Sequence, residues 1–236
     1  MNKYIFKDRL LGNYNFELDD YTFVPTQTSN CIIHASIKVI DKPSSILDLG
    51  CGCGVVAILI AKHAKYDINL SASDLSDTVE LVVKKNAKEY GIDIDVRQSN
   101  IFDAWGQKKF DLIINDISGV AEEIALISPW FKNISCKAGE GGNLLVNTVI
   151  DNAHKHLNPD GKLIFPVISF SNKEAILDKA KDIFNNVELV ERQEWPAPQE
   201  MIQNIDILET LKKKGLIDYK LSFGKVIGYT EIYSAH

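Results

Sequence analysis

Three glycines at alternate positions follow a carboxylate in Asp48-Leu49-Gly50-Cys51-Gly52-Cys53-Gly54. Glycines so spaced let the backbone turn sharply and approach a ligand with no Cβ atom in the way, as a loop for a nucleotide-like molecule must. The dinucleotide fingerprint G-x-G-x-x-G places its last glycine five residues after the first, where this chain has Val55. Asp48 argues further against a pyrophosphate, which its charge repels, and for a ligand bearing an ammonium or sulfonium charge. A second carboxylate stands in Ser71-Ala72-Ser73-Asp74-Leu75-Ser76, where a second strand should end. At a strand end Asp74 can accept hydrogen bonds from two vicinal ribose hydroxyls, charge-assisted bonds of roughly 1.5–3 kcal/mol each. The competing reading makes Asp74 a turn or helix-capping residue.

These groups need a frame, and the hydropathy pattern supplies one. From residue 45 short apolar runs alternate with helical stretches, the signature of a parallel sheet wrapped by helices. Strands are predicted at residues 46–49, 68–72, 93–97 and 110–114, and a fifth from Gly161 that Pro166 should stop or bulge. The nearly all-apolar run 53–62 predicts a helix buried against the sheet. Asp77-x-x-Glu80 reads as a capping box opening a helix that Gly91 can end. Leu145, Val149, Ala153 and Leu157 recur at helical spacing. A helix over 173–184 and strands over 187–194 and 226–233 follow. Trp195-Pro196-Ala197-Pro198 should break the strand before a helical insertion around 196–216, whose lysine run, Lys212-Lys213-Lys214, reads as a solvated helix end.

Residues 1–30 read as an aromatic-rich arm, hairpin-like with its turn at Gly12-Asn13, either packing on the core or serving as a lid. Residues 31–236 read as the ligand-binding domain. His154 and His156 lie two apart on a helix and face different sides, so solvent exposure is their default. Cys51-x-Cys53 has no second pair at zinc-site spacing, so no metal is expected. Glu140-Gly141-Gly142 reads as a turn that either approaches the ligand crevice or is structural.

The chain has 236 residues, 45% of them hydrophobic and 25% charged, the usage of a soluble globular protein. A net charge of −6 gives no general attraction to phosphate backbones or anionic lipid, which disfavours nucleic acid and membrane as partners. No run has signal-peptide or bilayer-spanning character, and four cysteines are too sparse for a disulfide framework. The expected compartment is the cytoplasm.

On these residues the chain resembles the class I S-adenosylmethionine-dependent methyltransferases, over residues from about 23 to 169. The glycine loop resembles their D/E-x-G-x-G-x-G motif, and Asp74, with Leu75 after it, stands where members bind the ribose. Ser99-Asn100-Ile101-Phe102-Asp103 resembles the adenine-contacting segment, with Asn100 at the acidic position. Phe23-Val24-Pro25-Thr26-Gln27-Thr28-Ser29 resembles the F-x-P-x-x-x-S entry of "methyltransferase small" enzymes that modify protein glutamine and ribosomal RNA; it implies that Thr26 and Thr28 lie over the cofactor. Asn115-Asp116-Ile117-Ser118 stands where those enzymes carry N-P-P-Y, with both prolines and the tyrosine replaced.

The resemblance implies an α/β doubly wound, mostly parallel seven-stranded sheet with helices on both faces and an antiparallel last strand. It implies S-adenosylmethionine as cofactor, held by Thr26, Thr28, Asp48, Gly50, Cys51, Gly52, Gly54, Asp74, Leu75, Asn100, Ile101 and Asn115. The catalytic candidates are Asn115, fixing the acceptor through its carbonyl oxygen, and Asp116, taking or orienting its proton. The acceptor is expected to be a nitrogen of a protein side chain or small molecule. The alternatives are a regulatory domain that binds the cofactor without turnover, and a nicotinamide-dependent oxidoreductase.

Overall fold

The structure, a computed structural model, describes residues 1–236 except 118, 132, 133 and 135. Its chain runs β1 (Asn2–Asp8), β2 (Gly12–Leu18), α1 (Gln27–Val39), β3 (Ser44–Leu49), α2 (Val55–His63), β4 (Ile68–Asp74), α3 (Val79–Glu89), β5 (Asp95–Gln98) and β6 (Phe110–Asn115). It continues through α4 (Glu122–Ile127), a 3-10 turn (Pro129–Phe131), α5 (Leu144–His156), β7 (Leu157–Ile168), α6 (Lys173–Ile183) and β8 (Val187–Pro196). α7 (Gln199–Ile202), α8 (Ile205–Lys213), β9 (Lys220–Ser222) and β10 (Lys225–Ala235) complete it.

The main sheet has the order β5-β4-β3-β6-β7-β10-β8, with β9 pairing the start of β10. β5, β4, β3, β6 and β7 pair in parallel, and β10 runs antiparallel between β7 and β8. The seven-stranded sheet with an antiparallel last strand agrees with expectation; the short β9 is an addition. From β3 the chain first builds outward through β4 and β5, then returns to place β6 on the other flank. Such a reversal opens a crevice beyond the carboxyl ends of the strands, where ligands bind in open α/β sheets.

Alternation along the central strands divides the core. Ile46, Leu112, Ile114 and Ile164 join the cluster containing the apolar residues of α1, α2 and α3, while Leu47, Leu49, Ile113, Leu163 and Phe165 join the one containing those of α5 and α6. Helices therefore cover both faces, because side chains on a strand point alternately to either side. A third cluster gathers α4, α7 and α8 around Phe131, Phe170 and Trp195.

Several local expectations are corrected. Asp8 makes the reversal between β1 and β2, its Oδ1 accepting from the amides of Leu10 and Leu11, so the turn precedes Gly12-Asn13. The arm's Phe6 and Phe16 are buried edge-to-face in the core, whereas Tyr21 is exposed. Thr78, not Asp77, caps α3, and no side-chain capping bond forms. Gly91 ends that helix as expected, with the Ile92 amide reaching back to Ala87 O.

Pro166 lies inside β7 instead of stopping it. Ser169 N–H donates to Tyr229 O directly opposite, so alternation turns the Pro166 nitrogen away from β10. It turns toward β6, whose pairing has already ended at Ile164. Trp195 and Pro196 likewise continue β8, paired with Gly228 and Ile227. His156 is buried, stacked 4.3 Å from Phe102 with its Nδ1 3.2 Å from Lys108 O. The Glu140-Gly141-Gly142 turn packs against Val120 and Ala121 and sends Glu140 outward to Lys214 at 2.7 Å, away from the crevice.

Candidate functional site

Beyond the ends of β3, β4 and β6 lies a cavity of about 1000 Å³. That is the upper end of the roughly 300–1,000 Å³ of small-molecule sites, room for a nucleoside-sized ligand and a second molecule beside it. Its floor is the glycine loop. Gly50 has φ +77°, and a Cβ there would fall 2.9 Å from the Ile117 amide nitrogen, so only glycine lets the loops after β3 and β6 come together. Asp116 N–H donates to Leu49 O at 2.8 Å and ties the same two strand ends.

Asp74 closes the other flank. Its Oδ2 accepts from Gly52 N–H at 3.0 Å and its Oδ1 from Ser76 N–H at 3.0 Å, so one carboxylate clamps the loop and organises the turn after β4. The turn role weighed against ribose binding is thus present in the structure, and the carboxylate also faces the cavity. Thr26 caps α1 by accepting from Thr28 N–H, and Thr28 Oγ1 lies 3.1 Å from Thr230 Oγ1 on β10. Both threonines reach the cavity wall, as do Gly50, Cys51, Gly52, Leu75, Asn100, Ile101 and Asp116.

Three anticipated residues do not. Asp48 is 0% exposed and shares the Ile46 side of β3, beneath the loop, where its Oδ2 accepts from Ala57 N–H at 3.2 Å in the first turn of α2. Its Oδ1 is buried without a partner among the described residues. Gly54 is the left-handed cap of α2, and a Cβ there would sit 2.8 Å from Val83 Cγ1, so it serves helix packing. Asn115 is also 0% exposed; its Oδ1 accepts from Ile117 N–H at 3.1 Å and its Nδ2 is buried without a partner among the described residues. The carbonyl oxygen assigned to hold an acceptor is therefore engaged elsewhere. Ser118 lies outside the described residues.

The carboxylates set the field of the site. Burial pushes the Asp48 carboxyl up to about 7, with the Ala57 amide opposing and Asp74 reinforcing the shift. Burial also raises Asp116 well above the usual carboxylate range, helped by the charges of Asp48 and Asp74 and opposed by a hydrogen bond from the Ser29 side chain. Both carboxyls are thus held toward their protonated forms, and a cation seated beside them would favour their ionisation. Burial likewise drives the Cys51 thiol far up and Cys53 to about 12, so neither is a thiolate nucleophile at neutral pH.

An aromatic part of the wall escaped the sequence reading. Phe23 lies 5.2 Å from Phe131, and Trp130 meets Trp195 edge-to-face at 5.4 Å; all four line the cavity with Ile134, Pro196 and Pro198. The paired aromatics of Pro129-Trp130-Phe131 in a connecting segment were the available signal.

The geometry agrees with comparison to known proteins. Residues 32–116 match the family model "Methyltransferase small domain". A release factor glutamine methyltransferase of Enterococcus faecalis is 24% identical over 160 residues, 65% of this chain and 57% of that protein. A ribosomal protein uL3 glutamine methyltransferase of Bradyrhizobium diazoefficiens is 32% identical over 136 residues, 54% and 42% of the two chains. The chain spans about half the length of these curated relatives. Among solved structures, a ribosomal protein L11 methylase from Lactobacillus delbrueckii subsp. bulgaricus superposes with a TM-score of 0.54 at 24% identity, covering 91% of this chain and 82% of that one. A T. Thermophilus 16S rRNA methyltransferase in complex with AdoMet and guanosine gives 0.62 at 13% identity, covering 99% and 50%. The chain thus has a Rossmann-like methyltransferase fold whose residues 32–116 match the model of the methyltransferase small domain.

Proposed function

We propose that this protein is an S-adenosylmethionine-dependent methyltransferase whose acceptor is a nitrogen of a protein side chain or small molecule. One observation carries the reading: a glycine loop clamped by Asp74 opens into a cavity with Asp116 on its wall and Asp48 beneath it, a place for a ribose followed by a cationic tail. Among the described residues a Cβ on Gly52 would meet nothing nearer than 3.7 Å, so at that position the loop presents bare backbone to the cavity. These features fit the cofactor. Named relatives act on release factor or ribosomal protein glutamine, which supports methyl transfer as the chemistry.

Bound S-adenosylmethionine supplies an electrophilic methyl group on a positively charged sulfur that is its own leaving group. In this reading Asp74 holds the ribose hydroxyls, and Asn100, Ile101 and Leu75 border the adenine. The backbone of Gly50, Cys51 and Gly52, with Thr26 and Thr28, encloses the amino-acid tail. Alignment of the acceptor with the methyl carbon is the main catalytic task. Asp116 takes the acceptor's proton at its carboxylate once ionised; burial raises its pKa, so that role strengthens as pH rises. The arm of residues 1–30 contributes wall, through Tyr4, Phe6 and the stretch 21–30, and in this reading closes over the acceptor. Buried, unbridged thiols at Cys31, Cys51 and Cys53 support a reducing, cytoplasmic setting. Among the described residues no helix is long and apolar enough to cross a membrane.

Calorimetric titration with S-adenosylhomocysteine and NADH tests the cofactor: micromolar binding of the first with none of the second is expected, and the reverse overturns the proposal. Incubation of cell extract with radiolabelled cofactor, followed by separation by size, identifies the acceptor class.

A further inference from the structure

The cavity wall carries polar side chains next to the glycine loop, among them Ser73, Asp74, Ser76 and Asn100, and also an aromatic group, Phe23, Trp130, Phe131 and Trp195, with prolines beside them. The aromatics come from three separated stretches of chain that nothing but the tertiary fold brings together. Phe23 and Trp130 are half-buried, so part of each ring is left uncovered by protein.

The geometry points to this aromatic wall as an acceptor subsite for a small planar aromatic molecule bearing a protic nitrogen on its edge, with Asp116 lining the same cavity. The inference rests on the methyltransferase reading and narrows its acceptor. A flat ring matches walls of indole and phenyl, where stacking stabilises binding and leaves a polar edge free. A glutamine amide is a poor match. Its carbonyl and amino group need free polar partners; Asn115 is off the wall with its oxygen turned to Ile117 N–H, the wall amides Gln193 and Gln27 are 3.3 Å apart and paired with each other, and Asn30 donates to Asp8. A nucleobase within RNA matches the rings but brings its phosphates. Among the described residues of the wall Lys7 is the one cation, against Asp74, Asp116 and Glu194, the last paired with Lys220.

Trp195 is fixed for such a task. Its Nε1–H donates to Thr230 Oγ1 at 3.0 Å, and Thr230 is in turn 3.1 Å from Thr28 Oγ1, so the indole is oriented by a buried hydroxyl pair. Trp130 packs against it and against Phe170.

The test uses 5-aminoquinoline as probe, with the tripeptide Gly-Gly-Gln and a single-stranded RNA oligonucleotide as comparators. Each is titrated calorimetrically into the full chain with and without saturating S-adenosylhomocysteine, and tryptophan emission is followed in parallel. The expected result is 5-aminoquinoline binding below about 1 mM with a change in tryptophan emission, and weaker or absent binding of both comparators. Trp130→Ala should weaken the probe roughly tenfold or more while the S-adenosylhomocysteine affinity stays within about twofold. Phe23→Ala, which removes a half-buried ring, provides a second reading should the tryptophan variant fold poorly. Tighter binding of Gly-Gly-Gln or RNA, no binding of 5-aminoquinoline, or ring-deletion variants that bind it undiminished overturns the subsite. Failure of S-adenosylhomocysteine alone to bind overturns the cofactor reading instead, and the titration without it still decides the aromatic subsite.

Discussion

Asp74 and Gly52 are joined by a hydrogen bond of 3.0 Å from the glycine amide to the carboxylate Oδ2, linking the end of β4 to the middle of the loop that follows β3. One side chain thereby shapes the loop and presents charge to the cavity. Asp74→Ala should weaken S-adenosylhomocysteine binding roughly 10- to 100-fold, the effect of losing charge-assisted bonds of about 1.5–3 kcal/mol. Calorimetry on the folded variant measures it, and an unchanged affinity would remove Asp74 from the site.

Gly50→Ala should destabilise the fold by more than about 2 kcal/mol, because it combines a left-handed backbone with a Cβ forced against the Ile117 main chain. Gly106→Ala is the control. Its φ is +53° but no described residue lies within 4 Å of the added carbon, so about 1 kcal/mol is expected. Urea denaturation of the pair separates strain from collision.

Stability should fall as pH rises from about 4 to about 7. The Asp48 carboxyl is held near 7 in the folded chain against 3.8 for the free group, so the folded state binds its proton more tightly than the unfolded one. Its stabilising contribution is complete below the unfolded value and is lost as pH climbs through the folded one, a span on the order of 4 kcal/mol. Asp116 acts in the same direction. Asp48→Asn should flatten this slope; denaturation midpoints across the range that do not differ from the parent's would contradict it.

Asp116→Ala should lower methyl transfer into extract by about 10²–10⁴-fold while retaining S-adenosylhomocysteine binding. Only the ionised carboxylate can take a proton, and burial raises its pKa. The parent's rate should therefore climb with pH above the ordinary carboxylate range, and the variant should lack that limb.

Thr230→Val should cost about 1–3 kcal/mol, since it leaves the buried Trp195 Nε1–H without an acceptor. Near-UV circular dichroism should report the loosened indole, and an unaltered spectrum with unaltered stability would argue against its being held there.

The strand, loop and helix from Ser44 to His63 were legible in sequence because their signals are local: an apolar run, alternate glycines, and a second apolar run of helical length. The burial of Asp48 was legible too, in hindsight, since it shares the parity of Ile46 on a strand packed against a helix. His156 follows the same logic, standing three and seven residues after the buried Ala153 and Val149 on one helical face. Pro166 could not be resolved locally, because its tolerance depends on where a neighbouring strand stops. Beyond the local pair Trp130-Phe131, the aromatic wall could not be read for a related reason: Phe23, Trp130 and Trp195 are far apart in the chain, and only the completed fold assembles them.

The insertion of β10 between β7 and β8 has a consequence for how a ribosome-bound chain matures. Both neighbours are synthesised before the strand that joins them, so until residues 225–235 emerge β8 has no strand partner among the described residues and β7 lacks its pairing with β10. Thr230 travels on that late strand, so the indole of Trp195 gains its anchor only then. Nascent intermediates should therefore expose sticky edges that invite chaperones, and competence to bind a second molecule should appear in one late step.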